Sequence, residues 1–162
     1  MIFVTIGSMF PFDRLIQRMD EWAQAHPEAE LLAQIGDGAY APTHMPWVRR
    51  LDQVDFARKV AEADLVVAHA GMGSVITASQ FRKPIVMLPR LKEWDEHTTD
   101  HQIATANWLR DKPGVYIADA DADLGPRIAE ALAAGGPAEP TFAAEAPDEF
   151  IARLRSCIFG QS

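Results

Sequence analysis

The sequence predicts a mostly parallel, doubly wound α/β sheet. Three observations carry that expectation. Short apolar runs alternate along the chain with segments of helical period, the pattern of repeated β–α units. The run KPIVML holds its apolar residues together without polar alternation, which suits a strand covered on both faces. Two glycine-containing loops, TIGSMFP and HAGMGS, follow apolar runs, at the carboxyl ends of strands where open α/β sheets bind ligands.

The elements follow in order. MIFVTIG reads as the first strand, and a helix from Pro11 to about His26 places Phe12, Leu15, Ile16, Met19 and Trp22 on one face, with proline at the first helical turn. ELLAQIG and WVRRL read as the next strands, and a helix from Gln53 to Ala63 carries Val54, Ala57, Val60 and Ala61 inward. DLVVAH is the most hydrophobic strand. It leads through HAGMGS to a helix from about Gly73 to Phe81, then to KPIVML and the polar loop PRLKEWDEHTTDH. A helix near Asp100 to Arg110, the strand GVYIAD and a helix with Leu124, Ile128, Ala131 and Leu132 on one face complete the alternation. The domain is thus read as residues 1–134. Residues 135–147 form a linker by their prolines and glycines, and residues 148–162 an amphipathic helix with Phe150, Ile151, Leu154, Cys157 and Ile158 on one stripe.

At 162 residues, 48% hydrophobic and 23% charged, the chain suits one globular domain with a real core. The single cysteine, Cys157, excludes an internal disulfide and a cysteine-based metal framework, and reads as a small apolar residue on a helix face. A formal charge of −8 supplies no basic field for nucleic acid or an anionic membrane surface. Charged residues interrupt every apolar run short of a membrane span, so a cytoplasmic protein is expected. An anionic ligand would need local donors.

The loop HAGMGS can supply them. Gly71 and Gly73 leave room for close backbone approach, Ser74 adds a hydroxyl, and a helix beginning here aims unpaired N–H groups and a partial positive charge outward. A phosphate or diphosphate fits that pattern; so does a plain tight turn between strand and helix. A dinucleotide fingerprint would need glycine at Ile76 and an acid near Leu91, and no Walker lysine follows a glycine at the needed spacing. Nicotinamide-dependent oxidoreductase chemistry and kinase or ATPase chemistry are disfavoured accordingly. The second constellation, EWDEHTTDHQ, concentrates Asp95, Glu96, His97, Asp100, His101 and Gln102. Three readings stand: His97 and His101 sharing a metal at i, i+4 without the glutamate of a His-Glu-x-x-His site; a solvated loop capping the next helix through Asp100 or Thr99; and recognition of ligand hydroxyls by carboxylate, imidazole and amide.

The segments IFVTIGS with PFDRLI, AQIGDGAY, ADLVVAHAGMGSVITA, KPIVMLPR and EHTTDHQIATA, in this order over roughly residues 1 to 118, resemble the C-terminal, donor-binding domain of glycosyltransferase family 28. The likeness extends to small stand-alone subunits of two-protein UDP-sugar transferases, among them PssE-like exopolysaccharide subunits. It implies a Rossmann-like domain, the C-terminal half of a GT-B glycosyltransferase, that holds a UDP-sugar while a membrane-associated partner carries the lipid-linked acceptor and the catalytic base. By the resemblance, Gly71, Met72, Gly73 and Ser74 face the donor diphosphate and Gly7 and Ser8 border the same cleft. Thr77, His97, Asp100, His101 and Gln102 lie near the sugar or ribose. His69 orients the loop, or is simply a buried, satisfied histidine. Related enzymes commonly have a glutamate for the ribose where this chain has Thr77, which lacks a carboxylate's charge-assisted acceptor. Amide donors at a leaving diphosphate act most strongly at the transition state, so no metal or cofactor is required. The terminal helix, with Phe150, Ile151, Leu154 and Ile158, suits docking on the partner or packing back on its own domain. A non-catalytic nucleotide-binding regulatory module is the alternative from another class.

Overall fold

All four side chains of IFVT, residues Ile2–Thr5 (β1), are buried, Ile2 and Val4 toward one face of the sheet and Phe3 toward the other, because successive side chains of a strand alternate. The computed structural model describes residues 1–143 and 148–159. Within them β1 sits inside a six-stranded sheet with β2 (Leu31–Gln34), β3 (Trp47–Val48), β4 (Leu65–His69), β5 (Ile85–Leu88) and β6 (Val115–Ile117), in the order β3-β2-β1-β4-β5-β6. Every pairing is parallel, in a register that aligns Val4 with Ala33 and Val67, and Val67 with Val86.

Helices cover both faces, as the apolar, non-alternating β5 requires. On one face α1 (Asp13–Ala25) and α5 (Leu124–Ala134) bury Leu15, Ile16, Met19, Leu124, Ile128 and Ala131 against Val4, Val67 and Val86. On the other, α2 (Gln53–Glu62), α3 (Met72–Gln80) and α4 (His101–Leu109) bury Val60, Val75, Ala78, Ala106 and Leu109 against Phe3, Val66 and Met87. Each fully buried Leu, Ile or Met contributes about 1.5–3 kcal/mol of apolar transfer. The predicted sheet, its parallel sense and its helical layers are those observed.

Details differ. The Asp52 carboxylate caps α2 by accepting Asp55 N–H at 2.8 Å. With that start, Phe56, Val60 and Ala63 turn inward, and Phe56 meets Phe3 edge-on at 5.6 Å. Val54, expected inside, lies about 200° around the helix from Phe56 and is 77% exposed. Leu132 falls at the margin of the α5 stripe and is also exposed. The first helix begins at Asp13, after Phe12, rather than at Pro11. The WVRRL strand is only two residues long and forms the sheet edge.

Of the segment read as a linker, residues 135–143 lie against the domain: Thr141 Oγ1 donates to the Pro113 carbonyl at 2.7 Å, Phe142 N–H donates to Ser79 Oγ at 2.9 Å, and the Phe142 ring stacks on Trp108. Residues 144–147 of that segment and 160–162 of the terminal helix lie outside the described residues. The described part of the helix, α6 (Asp148–Phe159), exposes Phe150, Leu154, Cys157 and Ile158 and half-buries Ile151.

Candidate functional site

The strand order reverses between β1 and β4: the chain leaves β1 toward β2 on one side and resumes on the other. The loops after these strands therefore part, and a crevice opens at the carboxyl ends. A cleft of about 540 Å³ occupies this point, with the β1 loop, the β4–α3 loop, the start of α2 and the segment from Arg90 to Gln102 as its walls. A second cavity of about 470 Å³ lies around Met1, Trp22, His26 and Asp64, at the amino ends of the strands, away from the two glycine loops.

The two glycines of HAGMGS have different uses. Gly71 is the N-cap of α3 and makes no side-chain cap bond, so the amides of Met72, Gly73 and Ser74 have no intrahelical acceptor. All three residues line the cleft. A Cβ built on Gly73 meets nothing within 4 Å, so this position opens into space. A Cβ on Gly71 would instead land on His69 Nε2 and come within 2.7 Å of Cδ2. Gly7, with φ +75, would bring a Cβ to 2.6 Å from His69 Cε1. The imidazole is thus wedged between the two loops, and both glycines make room for it.

Burial, with Arg90 and His97 adding to it, lowers the His69 pKa to about 4 against the opposing Thr5 backbone. The ring is therefore neutral at ordinary pH, and its buried Nδ1 has no hydrogen-bond partner. So low a pKa makes a poor general base near neutrality; the ring instead spaces the loops.

On the opposite wall, His97 and His101 stand edge-on at 4.3 Å, and Phe10 packs on His97 at 5.1 Å. Thr99 N–H donates to His97 Nδ1 at 3.3 Å, which assigns the proton of the neutral ring to Nε2. Burial first, then His101 and Arg90, lowers the His97 pKa. Thr99 Oγ1 lies 2.6 Å from His101 Nδ1. Gln102 lines the cleft while buried, its Oε1 accepting Arg90 N–H at 3.1 Å. Thr77 also lines the cleft, but its hydroxyl donates to the Gly73 carbonyl at 3.0 Å, leaving an acceptor for a ligand hydroxyl. Asp100 stands apart from the cleft lining. It occupies the N-cap position of α4 without a side-chain cap bond, and its Oδ1 accepts Lys92 N–H at 3.0 Å. Gly7 and Ser8 border the cleft. Among the described residues no group of three or more His, Cys, Asp or Glu could hold a metal.

Arg90 and Gln34 escaped the sequence reading, and Glu96 was read there only as one acid of the polar cluster. Arg90 lies beneath the β1 loop, buried; its only signal is a basic residue closing an apolar run. Gln34, at the end of β2, donates to the Gly7 carbonyl at 3.3 Å. Glu96 carries the polar loop inward: its carboxylate accepts from Arg14 Nε at 2.7 Å, Arg14 Nη2 at 2.8 Å and Leu91 N–H at 2.9 Å. Arg14 also donates to Asp121 at 2.5 Å and lies over Trp94. Burial opposes the Arg14 charge, but the two carboxylates outweigh it and raise the pKa.

Known proteins share the family and the fold of this chain. The family model described as Glycosyltransferase family 28 C-terminal domain matches residues 1–149. A UDP-N-acetylglucosamine–N-acetylmuramyl-(pentapeptide) pyrophosphoryl-undecaprenol N-acetylglucosamine transferase of Bacteroides fragilis is 32% identical over 69 residues, 43% of this chain and 17% of the relative's length. The crystal structure of Acinetobacter baumannii MurG superposes with a TM-score of 0.57 at 21% identity, covering 79% of this chain and 40% of MurG. The glycotransferase of kitacinnamycin gives 0.56 at 20% identity over 82% of this chain and 37% of that one. These structural likenesses establish the fold, that of a GT-B glycosyltransferase C-terminal domain, and the chain spans well under half the length of these relatives.

Proposed function

The chain belongs to the family of glycosyltransferase family 28 C-terminal domains, and from that premise we propose that it is the donor-binding subunit of a bipartite glycosyltransferase. It holds a UDP-sugar and, with a membrane-associated partner, transfers a hexosyl or glucuronosyl group to a lipid-linked acceptor in exopolysaccharide or glycan synthesis. The observation that carries the reading is the start of α3: three amides without intrahelical acceptors line the cleft at the sheet's switch point, beside a glycine whose Cβ position is empty. These donors suit a diphosphate whose negative charge grows as the glycosidic bond breaks.

In this reading Met72, Gly73 and Ser74 take the diphosphate beside Gly7 and Ser8, and His97, His101, Gln102 and Thr77 face the sugar or ribose. Asp100 acts one step removed, by holding Lys92 and so the loop. His69, neutral and wedged, keeps the two glycine loops apart. The acceptor's general base comes from the partner. Phe150, Leu154 and Ile158 on α6 expose an apolar stripe, continued by half-buried Ile151, for docking on that subunit, which recruits this chain to the inner face of the membrane. No helix among the described residues is long and apolar enough to cross a membrane.

The test is co-expression with a candidate membrane subunit, followed by a panel of UDP-sugars on membrane lipid acceptors. Transfer that needs both chains supports the proposal. UDP binding without transfer by any pair favours a regulatory module. Deleting residues 147–162 should leave UDP binding intact and abolish both pull-down of the partner and transfer; association and full transfer by the truncated chain would remove the docking role.

A further inference from the structure

We propose that Arg90 reads the negative charge of the donor, tying down the β1 loop with one edge of its guanidinium and offering the rest to an anionic oxygen in the cleft. The inference rests on the nucleotide-sugar reading above and adds a residue to it.

Arg90 follows β5 and is only 2% exposed, yet it contributes to the cleft wall. Its Nη2 donates to the Ile6 carbonyl at 2.8 Å and the Phe10 carbonyl at 2.6 Å. Those carbonyls bracket Gly7 and Ser8, so one planar group fixes the loop that borders the proposed diphosphate. The guanidinium lies over the Phe12 ring at 5.0 Å, and the backbone N–H of Arg90 holds Gln102 on the opposite wall.

The rest of the guanidinium is unused. Nε is buried without an acceptor, and Nη1 makes no hydrogen bond among the described residues. Nor does any described carboxylate bond Arg90. Glu96 is the acid that acts on it electrostatically, and Glu96 is already engaged by Arg14 and Leu91. A buried guanidinium without a bonded counter-anion is costly, because burial of charge is tolerated mainly when paired. The cost is visible: burial lowers the Arg90 pKa to about 10 despite Glu96, and Arg90 in turn helps keep His69 and His97 uncharged.

The chain is acidic overall, at −8, and among the described residues Arg90 is the one lysine or arginine that lines the cleft. The missing counter-anion is supplied by the ligand. Arginine suits that role through its planar fork and permanent charge. The oxygen belongs to the diphosphate or to the carboxylate of an acidic sugar.

The full chain and its Arg90→Met and Arg90→Lys variants are titrated calorimetrically with uridine, UDP, UDP-glucose and UDP-glucuronate, with thermal melting as the check on folding. Arg90→Met should weaken UDP about 10-fold or more, the scale of one hydrogen bond to a charged group, while uridine changes little. Arg90→Lys should fall between, since it keeps the charge and loses the fork. Loss restricted to UDP-glucuronate places the sugar carboxylate against Arg90 and supports the proposal in that form. Equal losses for uridine and UDP, or undiminished binding of every charged ligand by folded Arg90→Met, overturn it. If neither variant folds, the ¹⁵N resonance of Arg90 Nε in the wild-type chain decides: it should move with UDP or UDP-glucuronate and not with uridine, and a resonance unmoved by both charged ligands refutes the assignment. Failure of the wild-type chain to bind any of the four ligands overturns the nucleotide reading itself and this inference with it, an outcome distinct from binding that ignores Arg90.

Discussion

Replacing Gly73 by valine separates the needs of the fold from those of the ligand. The Cβ position has no neighbour within 4 Å, so the valine methyl groups enter open cleft and collide with no described atom at the Cβ. Gly73 is the second residue of α3, where glycine is a poorer helix former than valine by a few tenths of a kcal/mol. The melting temperature should therefore stay the same or rise slightly. The ligand fares differently. A branched side chain at this point keeps a diphosphate from the amides of Met72, Gly73 and Ser74, and losing one charge-assisted contact costs about 1.5–3 kcal/mol. That is about 10- to 150-fold in Kd. Calorimetric titration of UDP into wild-type and Gly73→Val protein, paired with melting curves, reads both quantities. A folded variant with unchanged UDP affinity would refute the assignment of this loop to the diphosphate.

Gly71→Ala should do the reverse and lower stability, because its Cβ lands on the His69 ring. Overpacking of this kind costs about 1–3 kcal/mol, measured by urea unfolding, and the additional change His69→Ala should restore part of it. His101→Ala should leave melting unchanged and lower the preference for UDP-sugar over UDP, whereas Gln102→Ala should also destabilise, since it strands Arg90 N–H; unequal melting in the opposite order would contradict this. Asp20 is buried, which alone would raise its pKa, but the Thr43 and His44 amides and the Tyr40 hydroxyl outweigh burial and lower it. Its contribution is therefore complete above the unfolded-state carboxylate pKa and is lost as pH falls through the folded-state value. Asp20→Asn should cost about 1.5–3 kcal/mol at neutral pH and flatten the acid limb of stability against pH; an unchanged acid limb would sink the claim.

The periodic part of the chain was legible. Strand and helix order came through because each apolar run had one environment, buried on both faces in β5 or facing the sheet in α1. The phase of α2 did not, since Val54 and Phe56 each start an apolar stripe of helical period, and it is the packing of Phe56 on Phe3 that leaves Val54 outside. At the site, the glycine loop was visible as sequence, and so was His69 two positions before Gly71, but the fit of its ring against both Gly71 and the distant Gly7 was not, because folding alone brings the two loops together. Arg90 was hidden, and Glu96 was legible only as one acid of a polar cluster, because their partners lie 80 or more positions away at Phe10 and Arg14. Asp100 had the composition of a cap, and its carboxylate turned back to Lys92 instead.

The ion cluster of Arg14, Glu96 and Asp121 decides how the cleft can close. Arg14 and Glu96 are 11% and 10% exposed, a part-buried pair with bidentate geometry, so breaking it costs more than the ~0–1 kcal/mol of a surface pair. It rivets the segment bearing His97 to α1, and Arg90 rivets the β1 loop to the same wall. These bonds tie that side of the cleft to the elements beneath it. Under the two-subunit proposal, enclosure of a donor would then fall to the partner descending on the open mouth, and turnover would be paced by how the two bodies meet and part rather than by a flap folding down.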